Sequence, residues 1–269
     1  MSFDSFRALL KRKSILKLDV SFELLFQACY FVQISRTTID MQLENSGKMS
    51  ELEDDKIAIS ICASSILAFE EYDAMTEGGY WLGSTPEYWY TTNIAQSLNQ
   101  TMKNRFVVLE NSVTEIHEYA QRGKARLATS ELRAAGRADI SLWTKNWKPR
   151  AIIEVKKGWH WDETRFAPDI QRLLESLRDL GRKSGVGTLN HAYFVLLTDT
   201  SKKTKKLGFS HFENLEQTIA TRIKEKATKF KGEYLVHSHR QYGRFIWNGK
   251  KRKKGSCFAA IVYRLTIKV

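Results

Sequence analysis

Asp139, Glu154 and Lys156 are the residues whose types and spacing could do chemistry. They stand in Gly136-Arg-Ala-Asp139-Ile-Ser-Leu-Trp143 and Ala151-Ile-Ile-Glu154-Val-Lys156-Lys157. Side chains alternate along a strand, so Glu154 and Lys156 share one face while Ile153 and Val155 share the other. Asp139 and Ser141 likewise oppose Ile140 and Leu142. A hairpin centred between Asn146 and Trp147 would set Asp139 across from Glu154, with Lys156 next in line. Two carboxylates that close repel, and burial raises the pKa of one. A divalent cation removes the conflict. Oxygen ligands favour Mg²⁺ or Mn²⁺, which keep several waters and accept phosphate oxygen. Such an ion polarises a phosphoryl group and lowers the pKa of bound water. A neighbouring ammonium orients or helps to deprotonate that water and offsets charge on the phosphate. The plainer alternative is an exposed cross-strand charge cluster, but directly opposed acids destabilise a sheet that lacks a counter-ion.

The elements that must position these groups are legible around them. Thr85-Pro86-Glu87 reads as a cap, a first-turn proline and an early acid, opening a helix to about Lys103. Phe106 to Leu109, Ala138 to Trp143 and Ala151 to Lys156 read as strands. Pro168 is expected to begin an amphipathic helix with Ile170, Leu173, Leu174, Leu177 and Leu180 on its apolar side. His191 to Leu197 reads as a buried strand and Leu215 to Phe230 as a helix. Two late strands flank Asn248-Gly249. Residues 1–80 read as mostly helical, with the acids from Glu51 to Asp55 suited to the N-terminus of a helix carrying Ile57 to Phe69. The expected class is α/β (α+β), a mixed sheet flanked by helices over 81–269, preceded by a helical accessory segment over 1–80.

Charge sharpens the choice of partner. The 269 residues carry a formal net charge of +13. Residues 1–80 hold 8 Lys+Arg against 13 Asp+Glu, whereas 81–269 hold 35 against 17. The basic excess therefore sits with the acid pair, and it points to a polyanion. The longest apolar stretch, Ile57 to Phe69, is shorter than the roughly 20 residues a membrane span needs, so no membrane is expected and the compartment is taken as cytoplasmic. Three cysteines without a C-x-x-C argue against a disulfide scaffold and a cysteine zinc site. No phosphate-binding glycine loop is present.

Asp139, Glu154 and Lys156, in these strand contexts, resemble the PD-(D/E)XK or restriction-endonuclease-like nuclease superfamily. The likeness covers roughly residues 85–200. It takes in a helix acid at Glu87 and the later helical run Asp169-Ile-Gln171-Arg172-Leu173, while the proline that usually precedes the first acid is Ala138 here. By that resemblance the sheet is restriction-endonuclease-like. Asp139, Glu154 and Glu87 bind Mg²⁺ or Mn²⁺, and Lys156 serves the attacking water. Gln171 orients the lysine or contacts substrate. The substrate is nucleic acid, DNA before RNA, and restriction or defence against phage is one setting for such an enzyme. A nucleic-acid-binding module without catalysis is the alternative, and residues 1–80 offer a contact for a second copy or a partner subunit.

Other features are weighed against plainer readings. Lys157 and the runs Lys202, Lys203, Lys205, Lys206 and Lys250, Lys251, Arg252, Lys253, Lys254 are read as phosphate contacts, which raise affinity without reading sequence. Trp159-His160-Trp161 offers rings for stacking on bases, with a packed loop the favoured reading. Asp169 is read as a first-turn capping or dipole acid beside Pro168. His237 and His239 lack a third partner at a ligand spacing. Cys29 and Cys62 are read as core fillers.

Overall fold

The computed structural model describes residues 49–77, 82, 84–120, 136–158, 160–181, 188–199, 209–230, 233–244 and 257–267. The chain divides into two compact units, Met1–Glu53 and Asp54–Val269, and the sheet and its site belong to the second.

The described elements are α1 (Met49–Met75), α2 (Glu87–Thr101), β1 (Arg105–Ser112), α3 (Val113–Ala120), β2 (Arg137–Thr144), β3 (Pro149–Lys157), α4 (Glu163–Leu180), β4 (His191–Asp199), α5 (Phe209–Ala227), β5 (Tyr234–Arg244) and β6 (Cys257–Ile267). The strands form one mixed sheet in the order β1-β2-β3-β4-β6-β5. Only β3 and β4 run parallel, and α4 makes the crossover that a parallel pair requires. All nine residues of β4 are buried, as befits a strand covered on both faces.

Two apolar layers enclose the sheet. On one face Ile57, Ile61, Ile66 and Phe69 of α1, with Tyr90, Ile94 and Leu98 of α2, pack on Ile140, Ile153, Val155, Val195 and Val262. The helix carrying Ile57 to Phe69, grouped with the front segment on sequence, thus contributes to the sheet's own core. On the other face Phe166, Ile170, Leu173, Leu174 and Leu177 of α4, with Leu215 and Ile219 of α5, cover Ile152, Phe194, Leu196 and Tyr263. Cys62 fills the first layer and donates to the Ala260 carbonyl at 3.7 Å, while burial pushes its thiol pKa up to about 12. Among the described residues no helix is long and apolar enough to cross a membrane.

Four helix starts differ from expectation, one of them α5, which begins at Phe209 rather than Leu215. α4 begins at Glu163, not Pro168. The Asp162 carboxylate caps it by accepting the Thr164 and Arg165 amides at 3.1 and 3.2 Å, which satisfies donors that a helix start leaves open. Pro168 lies inside this helix. α2 begins at Glu87, with Pro86 rather than Thr85 in the capping position and no side-chain cap. α3 was not expected at all.

The β2–β3 register is that of a hairpin centred between Asn146 and Trp147, with Ile140 opposite Ile153, Ser141 opposite Ile152 and Leu142 opposite Ala151. The strands then part, one pair short of Asp139 and Glu154. On its other side β2 pairs Ile140 with Leu109 and Ala138 with Asn111, passing over Asp139, while Glu110 adopts φ 51°. Asp139 therefore sits where the ladder is interrupted on both flanks.

Candidate active site

The interruption gives the Asp139 side chain a structural partner. Its Oδ2 accepts the Val155 amide at 2.7 Å, taking the place of the carbonyl that β2 no longer supplies. The same oxygen lies 3.5 Å from Lys156 Nζ. β3 continues past this point paired to β4 through Lys157, so Lys156 projects from a firmly held strand.

Two helices complete the surroundings. Glu87, the first residue of α2, places Oε1 3.4 Å from Lys156 Nζ, while its Oε2 accepts the Lys157 amide at 3.2 Å. Asp169 of α4 places Oδ2 3.5 Å from the same ammonium and pairs through Oδ1 with Arg172. Three carboxylates from three elements thus converge on one lysine. Arg172 also reaches Glu154, Nε to Oε1 at 3.1 Å. Glu154 is the most deeply placed of the set at 1% exposure. Gly136 makes room for this contact. A Cβ there would stand 2.8 Å from Arg172 Nη1, and its φ of +74° is one that glycine adopts without strain.

Electrostatics follow from the crowding. Burial pushes the Glu154 pKa well above the usual carboxylate range. Arg172 opposes that rise, Asp139 and Asp169 add to it, and Lys156 opposes it. For Lys156, burial disfavours the ammonium, but Asp139, Glu87, Asp169 and Glu154 together outweigh it and hold the pKa above the usual lysine range. Lys156 is therefore an ammonium across the neutral range and is not a base there.

Of the residues singled out on sequence, the fold brings together Asp139, Glu154, Lys156 and Glu87. Gln171 stands apart, exposed on α4 and donating to Glu175 Oε1 at 2.9 Å. Lys157 is turned inward, its ammonium on the carbonyls of Leu82, at 3.3 Å, and Thr85. Burial lowers its pKa. It fastens the chain leading into α2 rather than presenting a charge to solvent. Asp169 is a member of the cluster and not a first-turn cap, because the helix starts six residues before it. Arg172 was likewise missed, although its place in the quoted Asp169-Ile-Gln171-Arg172 run fixed its spacing. Phe166, at helical spacing before Ile170, was the signal that the helix began early. Trp161 belongs to a packed loop, donating to Glu163 at 2.8 Å and meeting Phe166 edge-on. Lys202, Lys203, Lys205, Lys206, Lys250, Lys251, Arg252, Lys253, Lys254, Trp159 and Cys29 lie outside the described residues.

The donor set suits a divalent ion by charge and by chemistry. Glu87, Asp139, Glu154 and Asp169 provide four carboxylates, and the cations paired with them are Lys156 and Arg172. Two negative charges are left over when all four are ionised, and Asp139 and Asp169 add to the rise that burial imposes on Glu154. A divalent cation would balance that excess, and hard carboxylate oxygens suit Mg²⁺ or Mn²⁺. Among the described residues no three His, Cys, Asp or Glu side chains already converge as a metal-holding group; here the lysine and arginine engage the carboxylates. No family model matches the chain, and no curated protein or solved structure is significantly similar to it.

Proposed function

We propose that the chain is a Mg²⁺- or Mn²⁺-dependent nuclease of the PD-(D/E)XK type, acting on DNA in the cytoplasm through a restriction-endonuclease-like sheet. One observation carries the reading. Asp139 of β2 and Glu87 of α2 meet within 3.5 Å of the Lys156 ammonium on β3, beside the buried Glu154. The basic excess of residues 81–269 supports a phosphodiester polyanion as substrate.

Asp139 and Glu154, with Glu87, would hold the ion, which when bound supplies a polarised phosphate and an acidified water. The chain's own contribution is electrostatic. Lys156, kept charged by its carboxylates, donates hydrogen bonds to a phosphate oxygen or orients the attacking water, and offsets the charge that builds on phosphorus. Arg172 keeps Glu154 oriented, and Asp169 helps to fix both cations.

The test is cleavage of supercoiled DNA, linear DNA, single-stranded DNA and RNA with and without EDTA. Divalent-dependent cleavage by the native chain, lost in an Asp139→Ala/Glu154→Ala/Lys156→Ala variant, supports the reading; full cleavage by that variant ends it.

A second reading, a nucleic-acid-binding module on a nuclease-like scaffold, has one observation in its favour. Every acid of the cluster is paired with a basic side chain, as in a purely structural ion network. It predicts retention on DNA without a divalent requirement, and no cleavage under any condition of the panel.

A further inference from the structure

The tip joining β2 to β3 holds a side chain that neither the core nor the acid cluster uses. The Thr144 amide donates to the Lys148 carbonyl at 2.9 Å and the Trp147 amide to the Thr144 carbonyl at 3.0 Å. The turn is closed by Trp147 at φ 56°. Hairpin loops of this kind favour glycine or asparagine in the left-handed position, where a Cβ is crowded. Here the position carries a tryptophan that is 54% exposed.

The indole is exposed but not loose. Tyr119 of α3 stacks on it with ring centres 5.8 Å apart at 27°, and Phe106 of β1 meets it at 4.8 Å and 64°. Trp143 backs both of those rings, 6.2 Å from Phe106 and 5.6 Å from Tyr119. Two aromatic rings, backed by a third, thus hold the indole in place with over half of its surface in solvent. Lys103, Lys145 and Lys148 are exposed around it. Residues 103–106 and 144–150 carry no acid, while α3, which supplies Tyr119, carries the exposed Glu115 and Glu118. A rigid open ring with exposed lysines on the chain segments beside it suits a polyanion whose units carry flat rings of their own.

We infer that the β2–β3 tip is a docking platform for single-stranded nucleic acid, with an unpaired base stacked on Trp147 and neighbouring phosphates on Lys103, Lys145 and Lys148. The strand is single because bases inside a duplex stack on one another and leave no free face. The platform lies at the opposite end of the hairpin from the acid cluster. Asp139 and Thr144 are five residues apart, about 17 Å at the rise of a strand. The nuclease reading enters only in the choice of polyanion.

Trp147→Gly suits the turn and so keeps the hairpin; Trp147→Asn, also tolerant of positive φ, is the second variant. Affinity of the full chain for a labelled oligothymidylate of about twelve nucleotides is measured in EDTA, beside a duplex of equal length and phosphatidylserine vesicles. Both variants should bind the single strand about tenfold or more weakly, with the duplex little changed. Lys145→Ala/Lys148→Ala should reduce the salt slope by about 1.4. Unchanged single-strand affinity in both tryptophan variants overturns the inference, as does binding confined to duplex or vesicles. Because nothing is cleaved in EDTA, a chain that docks the oligomer through Trp147 yet never cuts DNA removes only the nuclease reading. A nuclease indifferent to Trp147 removes only this one.

Discussion

Arg172 Nε stands 3.1 Å from Glu154 Oε1, so the acid most hidden from solvent is answered by a guanidinium from a helix rather than by the lysine two residues along its own strand. Helix α4 thereby becomes part of the site and not only a cover for the sheet.

Removing that guanidinium should be costly. Arg172→Met leaves Glu154 buried without its cation, and breaking such a pair on one side destabilises by about 3 kcal/mol. Urea unfolding near neutral pH measures it. Adding Glu154→Gln should recover part of the loss, since a neutral amide needs no counter-charge. Equal stability of the single and double variants would contradict the pairing.

Lys156→Met separates binding from chemistry. The ammonium competes with any divalent cation for Glu87, Asp139 and Asp169. Titration calorimetry should therefore find Mg²⁺ or Mn²⁺ bound as tightly or more tightly in the variant. Cleavage should fall by about 10²- to 10³-fold, the loss typical of one electrostatic donor at a reacting oxyanion. A parallel loss of metal affinity would assign the lysine a different task.

Glu154 predicts a pH dependence of definite sign. Its folded pKa is raised above the ordinary value of about 4.3. Between the two values the folded state holds a proton that the unfolded state lacks. The stability this group contributes is complete at low pH and is lost as pH rises through that window. In EDTA, Glu154→Gln should gain on the native chain by up to about 1.4 kcal/mol per pH unit across it. Parallel stability curves would refute the raised pKa.

His117 carries the opposite sign. It is 1% exposed on α3, and neither ring nitrogen has a hydrogen-bond partner among the described residues. Burial lowers its pKa, with Asp179 opposing and Arg178 adding to the shift. The unfolded chain takes up a proton first, so this contribution is present above about pH 6.5 and is lost as pH falls below it. His117→Leu should stabilise the chain by about 1–2 kcal/mol at pH 5, with a smaller gain at pH 8. Thermal melts at the two pH values check it.

The register assumed for a hairpin centred between Asn146 and Trp147 holds from Ile140–Ile153 to Leu142–Ala151, and a one-residue slip would turn Ile140, Leu142, Ile153 and Val155 away from their core. Glu87 was legible because a proline and an acid open many helices. Asp169 was misread and Arg172 missed for a related reason. Pro168 looks like a helix start and outweighs the weaker signal of Phe166 before Ile170, whereas the cap at Asp162, bonding two amides, shows that the helix was already running. α3 is eight residues long, too short for its Val113 and Ile116 to establish a period. The parting of β2 from β3 at Asp139 had no sequence signal, since a side chain replacing a ladder carbonyl leaves the hydrophobic pattern untouched.

That replacement gives the chain an internal gauge. The Val155 amide is shielded by a carboxylate and not by a neighbouring strand, so its hydrogen-exchange rate follows whatever happens to Asp139. Protonation, substitution or capture of that carboxylate by a cation would each register at one backbone proton, without substrate and without turnover.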